Sequence, residues 1–235
     1  MSIPAIESPT LICVTRHGET DWNKAGILQG WIDVPVNEDG RQQARELAME
    51  FADAGFSAVL SSPLVRARET AEIIADALGL APPVCCEGLK ERNFGVIQGI
   101  PKAELAVMKP LLLQQIVDRN PAADFEHGET IDEFADRVLD ALASIGKQHA
   151  GDRVLVVTHG WVMDVVTRHI RNLPRSTILN AKSKNGECLW LEVGCPSAFP
   201  SVAGSNGLER SSIRELSSAP HCKLPSIRHV QGLAQ

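Results

Sequence analysis

The chain has 235 residues, of which 44% are hydrophobic and 22% are charged, and its mean hydropathy is −0.04. This is the composition of an ordinary globular protein with one large domain or two small ones, and its apolar runs are far shorter than the roughly 20 residues of a membrane-spanning helix. The net charge of −6 and the pI of about 5.7 argue against nucleic-acid binding, which needs a basic surface, but allow a small anionic substrate.

The first half of the chain alternates predicted strands and helices. Residues 11–15 (LICVT) form a short apolar run rich in β-branched residues, which predicts a buried strand. A helix is predicted over 37–55, ended by Gly55. The next predicted elements are a strand, a helix closed by Gly79 and a short strand, at 57–62, 66–78 and 83–86.

The second half continues the alternation after a loop through GVIQG. A helical stretch interrupted by proline is predicted over roughly 102–118, and a long amphipathic helix over 131–146. The run RVLVVT gives the clearest strand of the sequence. The last three predicted elements are this strand, a helix and a final strand, at 153–158, 161–171 and 188–193.

This order of elements predicts an α/β fold. Its central sheet should be mostly parallel and covered by helices on both faces, which makes a three-layer α/β/α sandwich. In such sheets, ligands bind beyond the carboxyl ends of the strands. One domain is predicted over residues 1–194. Residues 195–235 are rich in Ser, Pro and Gly and are interpreted as an appended tail, ordered only if it packs over the domain.

The tetrapeptide HGET occurs twice, at 17–20 and at 127–130. The second copy is explained locally, because Thr130 and Glu133 make the T-x-x-E capping box of the helix predicted at 131–146. His127 lies in the loop before that helix. It is interpreted as a solvated loop histidine, with a catalytic role as the alternative.

The first copy of HGET lies at the end of a predicted strand. Arg16-His17-Gly18 emerges where the strand at 11–15 stops, and His159-Gly160 repeats this arrangement where the strand at 153–158 stops. If these strands are neighbours in one sheet, the two histidines project into one crevice. A lone histidine after a strand would indicate little, whereas two such corners predict a functional site.

These residue types suit a phosphate group. Arg16 offers a planar fork of donors, and the backbone N–H groups of the helix start at Gly160 add a partial positive charge. A neutral imidazole with one nitrogen held by a backbone carbonyl leaves the other nitrogen free to attack phosphorus. No Asp/Glu cluster suited to Mg²⁺ accompanies these residues, and the six cysteines lack metal-site spacing. No metal is therefore expected.

Four sequence segments, in order, are RHGETDWNKAGILQG, SSPLVRARETA, LKERNFGVIQG and VLVVTHG, which begin at residues 16, 61, 89 and 154. Together they resemble the histidine phosphatase superfamily, especially its branch that contains the cofactor-dependent phosphoglycerate mutases. The resemblance spans roughly residues 10 to 193. It implies the phosphoglycerate mutase-like form of the α/β fold.

The resemblance also implies roles for individual residues. His17 is the nucleophile that becomes phosphohistidine, and Glu91 protonates the leaving oxygen and then activates water or the accepting hydroxyl. Phosphate and substrate contacts are implied for Arg16, Asn23, Gln29, Gly30, Arg66, Glu91, His159 and Gly160. Glu129 lies in a segment that supports the site in the family.

Structural alternatives remain for three of these residues. The alternative interpretation of Arg66 is a solvated arginine at a helix start, and that of Glu91 is an ordinary surface carboxylate. The alternative interpretation of Asn23 is a turn residue before Lys24.

The predicted activity is metal-independent hydrolysis of small phosphorylated metabolites. The alternative is a phosphoglycerate mutase, which would need 2,3-bisphosphoglycerate as a primer; otherwise no cofactor is expected. True mutases of this branch carry a long insertion with paired arginines between the proton donor and the second histidine. Here that interval is short and apolar in its middle, Phe94 stands where those mutases usually have tyrosine, and the available cations are Lys102, Lys109 and Arg119. These features favour a phosphatase.

A third hypothesis is a non-catalytic module that binds a phosphorylated ligand. Its expected sequence mark is the loss of His17 or Glu91, and both residues are present.

The expected partner is a small phosphorylated substrate, with no nucleic acid and no membrane, and a homodimer stays open. The N-terminal stretch MSIPAIESPT has neither a basic nor an apolar signal-peptide region, so a cytoplasmic location is expected. Four cations of the tail leave open whether it closes over an anionic ligand: Arg210, Arg214, Lys223 and Arg228.

Overall fold

The computed structural model describes residues 8–179, 183–194 and 213–216. Within these ranges, six strands form one sheet: β1 (Thr10–Arg16), β2 (Ala58–Ser61), β3 (Val84–Cys85), β4 (Arg153–Thr158), β5 (Cys188–Val193) and β6 (Ile213–Glu215). Their order is β3-β2-β4-β1-β5-β6. The four strands β3, β2, β4 and β1 are parallel, while β5 runs antiparallel to both of its neighbours. The mostly parallel sheet predicted from the alternation of elements is confirmed.

The helices of the described residues are α1 (Asp21–Ala25), α2 (Glu38–Glu50), α3 (Val65–Ala77), α4 (Lys102–Met108), α5 (Pro110–Val117), α6 (Ile131–Gln148) and α7 (Gly160–Ile170). Two 3₁₀ turns, Glu87–Leu89 and Gly95–Ile97, lie between β3 and α4. In the described ranges, none of these helices combines the length and the apolar character needed to span a bilayer.

The sheet separates two apolar cores, because alternate residues of a strand point to opposite faces. On one face, Cys13, Val59 and Leu155 pack with apolar residues of α2 and α3. On the other face, Ile12, Leu60 and Val154 pack with α6, α7 and the segment that contains α4 and α5. The three-layer α/β/α arrangement is therefore confirmed.

Two details of the sequence prediction need correction. The helix predicted over 37–55 ends at Glu50, because the chain then turns to bury Phe51, Ala54 and Phe56 in one core, and Gly55 lies in that turn rather than at the helix end. The five-residue helix α1 was not predicted, since its first turn is fixed by the Thr20 cap and not by apolar periodicity.

The region interpreted as a tail contributes the short strand β6. Ile213 is buried and pairs with Val193 of β5, at the end of the sheet opposite the carboxyl ends of the parallel strands. Arg214 pairs with Glu192 on this edge. The remainder of 195–235, with Arg210, Lys223 and Arg228, lies outside the described residues.

Candidate active site

The His17 corner follows β1 directly and depends on a close backbone contact. A Cβ atom on Gly18 would stand 2.4 Å from the carbonyl oxygen of Gly40 in α2, which is nearer than real side chains approach. The Gly18 N–H donates to Thr70 Oγ1 at 3.0 Å. Glycine at 18 therefore lets α2 pack against the corner and fixes the direction of the histidine before it.

The His17 imidazole is held in one tautomer. Its Nδ1 lies 2.6 Å from the Gly18 carbonyl oxygen, and because a carbonyl can only accept, the proton sits on Nδ1 and the lone pair on Nε2. Burial, followed by the charges of Arg66 and Arg16, holds the pKa of His17 well below its usual 6.5. The ring is thus neutral at neutral pH and has a free lone pair on Nε2.

His159 directly follows β4, which is the parallel neighbour of β1, and Arg16 pairs with Thr158 in the register. The two histidine rings are 5.2 Å apart between centroids, as the two strand-end corners predict. His159 Nε2 lies 2.8 Å from Ser62 Oγ, and Nδ1 is buried without a hydrogen-bond partner. Burial and the charge of Arg66 lower the pKa of His159 well below 6.5.

Two arginines approach the histidines from different elements. Arg16 Nη1 donates to the Ser183 carbonyl at 2.7 Å, while the fully buried Arg66 donates to the carbonyls of Gly30 and Ile32 at 2.7 and 3.1 Å. The Nε of each arginine is buried and has no partner. Burial lowers the pKa of Arg66 to about 10, so it stays charged at neutral pH. The solvated reading of Arg66 is wrong.

Glu91 is buried, so its reading as a surface carboxylate is also wrong. Its Oε1 accepts from the Arg92 N–H at 3.0 Å, and its Oε2 lies 3.5 Å from the Trp161 N–H in the first turn of α7. This second contact brings the carboxylate to the helix that begins beside His159.

The second HGET contacts the segment that contains Glu91 through hydrogen bonds and an ion pair. Thr130 and Glu133 form the predicted capping box of α6. The preceding residue of the motif, Glu129, accepts from the Asn93 N–H at 2.8 Å and pairs with Arg137. Arg137 also donates to the carbonyls of Gly88, Lys90 and Glu91. His127 is exposed and does not line the cavity at His17.

The predicted site residues converge on one cavity of about 300 Å³. Eight of the nine line it: Arg16, His17, Asn23, Gln29, Gly30, Arg66, Glu91 and Gly160. The ninth, His159, lies fully buried behind His17. Asn23 lies in α1 rather than in a turn, so its interpretation as a turn residue is wrong; its side chain accepts from the Thr20 N–H and completes the capping box of α1.

Several residues of this cavity were not predicted. Two of them lie in the segment before β5. Asn185 donates to the His17 carbonyl at 2.6 Å, and the Ser183 carbonyl accepts from Arg16 Nη1. Arg119 lines the cavity after α5. These residues reach the site through contacts with distant parts of the chain, so no local pattern marks them.

A second cavity, of about 310 Å³, lies between α6 and α7 and is lined by residues such as Leu139 and Val165. It contains none of the predicted site residues, so it is not the candidate site. Within the described ranges, no group of three His, Cys, Asp or Glu side chains is arranged to hold a metal ion.

Comparisons with known proteins identify the relatives of this chain. The family model described as histidine phosphatase superfamily (branch 1) matches residues 12–195. An uncharacterized phosphatase of Bacillus subtilis, PhoE, is 34% identical over 182 residues, which cover 76% of this chain and 88% of that protein. A metal-independent phosphoserine phosphatase of Arabidopsis thaliana is 39% identical over 159 residues, 67% of each chain. Further relatives are named probable phosphoglycerate mutases.

Solved structures share the fold. Bacillus stearothermophilus YhfR superimposes with a TM-score of 0.73 at 31% identity and covers 78% of this chain and 91% of its own.

Proposed function

The chain belongs to branch 1 of the histidine phosphatase superfamily, and we propose that it is a metal-independent phosphatase of small phosphomonoesters that forms phosphohistidine on His17. One observation carries the proposal. The lone pair of the neutral His17 imidazole faces a cavity where the Nε groups of Arg16 and Arg66 are buried and unpaired. Buried donors without partners are costly, and a bound phosphoryl group would satisfy them.

In the first step, His17 Nε2 attacks phosphorus and the ester P–O bond breaks. The electron pair of that bond goes to the leaving oxygen, which takes a proton from Glu91. Arg16, Arg66 and the N-terminus of α7 stabilise the charge on the three equatorial oxygens. The product is phosphohistidine and a free alcohol.

In the second step, the Glu91 carboxylate takes a proton from water, and the water oxygen attacks phosphorus. The N–P bond breaks and its electron pair returns to Nε2. Inorganic phosphate leaves, and both His17 and Glu91 regain their initial states. The step needs no metal and no cofactor.

A phosphoglycerate mutase remains the second candidate, because several relatives carry that name. It would use the same phosphohistidine, with a substrate hydroxyl in place of water and 2,3-bisphosphoglycerate as primer. We favour the phosphatase because the segment between Glu91 and His159 contains no adjacent pair of arginines. The cytoplasmic location and the open question of a homodimer stay predictions from the sequence.

The test is phosphate release from a panel of phosphomonoesters with a chelator present, beside a primed assay of 3-phosphoglycerate to 2-phosphoglycerate conversion. We expect release that resists the chelator, is lost in His17→Ala and is kept in His127→Ala, the matching change in the other HGET. Fast isomerisation with little release would establish the mutase instead. Phosphate binding without either reaction would mean that the protein is a binding module.

A further inference from the structure

Ser62 is a buried polar residue beside the two active-site histidines, and the mechanism above assigns it no role. It directly follows β2, whose Ser61 pairs with Val157 of β4, and its N–H donates to the Val157 carbonyl at 3.0 Å. The strands β2, β4 and β1 are parallel neighbours in that order. Their carboxyl ends therefore place Ser62, His159 and His17 side by side.

The Ser62 hydroxyl contacts a nitrogen of His159. Its Oγ lies 2.8 Å from His159 Nε2, and both residues are 0% exposed. The same Oγ accepts from the Leu64 N–H at 3.3 Å. Because a hydroxyl has one proton to donate and two lone pairs, the distance to Nε2 is compatible with two arrangements, in which the shared proton belongs either to the oxygen or to the nitrogen.

The number of unsatisfied groups decides between the two arrangements. If the hydroxyl of Ser62 donates to Nε2, the Nδ1–H of His159 is the one group of this pair that lacks a partner within the described residues. If Nε2–H donates to Ser62, the Nδ1 lone pair and the hydroxyl proton both lack a partner there. Since every buried polar group without a partner is costly, the hydroxyl is the donor.

The start of α7 agrees with this assignment. His159 is the N-cap of α7, a position where a side-chain acceptor usually receives an N–H of the first helical turn. The His159 side chain makes no such bond, as expected if Nδ1 carries a proton and cannot accept. The Nδ1–H is therefore a donor for a group that the described part of the protein does not supply.

We propose that Ser62 is a positioning residue, whose hydroxyl donates to His159 Nε2 and holds the imidazole in the tautomer that offers Nδ1–H to the bound phosphoryl group. The inference rests on the proposed phosphohistidine chemistry. The Nδ1–H joins the unpaired Nε groups of Arg16 and Arg66, and one phosphoryl group would satisfy all three donors. Ser62 does not line the cavity, so it acts through His159.

The two histidines are then fixed in ways that suit different tasks. His17 donates Nδ1–H to the Gly18 carbonyl and keeps a lone pair on Nε2 for the attack. His159 receives a hydroxyl proton on Nε2 and keeps Nδ1–H to stabilise charge. A carbonyl oxygen in place of the Ser62 hydroxyl could only accept, and it would select the opposite tautomer of His159.

Nitrogen-15 NMR of the imidazole rings tests the tautomer directly and needs no activity. In the wild-type protein we expect His159, identified by the signals that vanish in His159→Gln, to have a protonated Nδ1 and an unprotonated Nε2. Ser62→Ala should lose this preference and populate both tautomers. Ser61→Ala is the matched control, because Ser61 is an equally buried neighbour whose Oγ lies 3.9 Å from Cys85 Sγ. A protonated Nε2 in the wild-type protein would overturn the proposal, even if Ser62→Ala fails to fold.

Kinetics test the consequence for catalysis. For p-nitrophenyl phosphate, kcat and kcat/KM of Ser62→Ala should fall together about 5- to 100-fold, the equivalent of leaving a buried acceptor unpaired. Ser61→Ala should stay within about threefold of wild type. Ser62→Ala could also act through the Leu64 N–H at the start of α3. A loss of activity with the wild-type tautomer retained would establish that structural role and overturn the proposal, as would an unchanged rate.

Phosphate binding separates this inference from the proposed function. Adding inorganic phosphate to the wild-type protein should shift the Nδ1–H proton of His159, and calorimetry should show weaker phosphate binding to Ser62→Ala than to Ser61→Ala. If the wild-type protein hydrolyses no ester, the phosphatase proposal fails, while the NMR comparison still decides the contact between Ser62 and His159. Bound phosphate that leaves the Nδ1–H signal unmoved, or no phosphate binding at all, would refute donation to the phosphoryl group.

Discussion

Glu91→Gln tests the proton donor, because glutamine keeps the shape of the side chain and removes the transferable proton. For an alkyl phosphate we expect the steady-state rate to fall about 10²- to 10⁴-fold, the usual contribution of a general acid. With p-nitrophenyl phosphate the first turnover should stay within about tenfold of wild type, since that leaving group needs little protonation. The second step still needs the Glu91 base, so phosphohistidine should accumulate.

The structural cost of this substitution is small. Glu91 Oε1 accepts from the Arg92 N–H at 3.0 Å, and the glutamine carbonyl oxygen can replace it. The amide NH₂ then faces the Trp161 N–H, where the existing contact is a long 3.5 Å. Losing one such contact costs about 1 kcal/mol, so Glu91→Gln should fold and its lost activity should report on chemistry.

A rapid-quench experiment with p-nitrophenyl phosphate gives the decisive result. Glu91→Gln should release close to one equivalent of nitrophenol per site in a burst, and a ³²P-labelled activated ester should leave label on the protein after an alkaline quench. Glu87→Gln is the control, a carboxylate of the same segment that pairs with Lys90 at the surface. If wild type can be labelled and Glu91→Gln cannot, the proton donor is another residue.

Three further predictions concern buried charge. Burial raises the pKa of Asp164 from 3.8 to about 6, so ionisation of this group destabilises the native state. The free energy of unfolding of Asp164→Asn, minus that of wild type, should therefore rise by up to about 3 kcal/mol from pH 4 to pH 7 in denaturant titrations. A difference that does not change with pH would contradict this. The His17 imidazole should stay neutral at pH 6 by NMR, since its pKa is depressed, and a midpoint near 6.5 would be incompatible with its burial. Arg137→Leu should cost about 2–3 kcal/mol in urea unfolding because it removes the charge partner of Glu129 and leaves the carbonyls of Gly88 and Lys90 unpaired, whereas Arg175→Leu, which removes exposed pairs with Asp132 and Asp136, should cost under about 1 kcal/mol.

Most of the fold could be predicted where the signal is local. The strands β4 and β5 have the predicted bounds, and α6 begins at the predicted cap, because apolar periodicity and capping act within a few residues. The strand β6 was missed since three residues amid Ser and Pro carry no pattern. It forms only because Val193 and Leu191 offer an open sheet edge.

The centre of the site could be predicted because strand order brings the ends of β1 and β4 together. Arg16-His17 and His159 are encoded at two strand ends, and parallel pairing makes them neighbours. Arg119 could not be placed in this way. Its direction depends on a left-handed backbone and on Asp164, which is 45 residues away in the sequence. In the sequence, Arg119 is one of few cations in an apolar segment, whereas in the structure it lines the cavity.

The two copies of HGET show why such placement decides chemistry. In the first copy, the histidine directly follows a buried strand and the threonine caps the short helix α1. In the second copy, the threonine again caps a helix, but the histidine lies in an exposed loop and the glutamate holds Arg137 beneath the Glu91 segment. The capping function is local and survives in both copies. Nucleophilic function needs the burial and the neighbouring arginines that only the end of β1 supplies, so His17→Ala and His127→Ala should differ completely in activity.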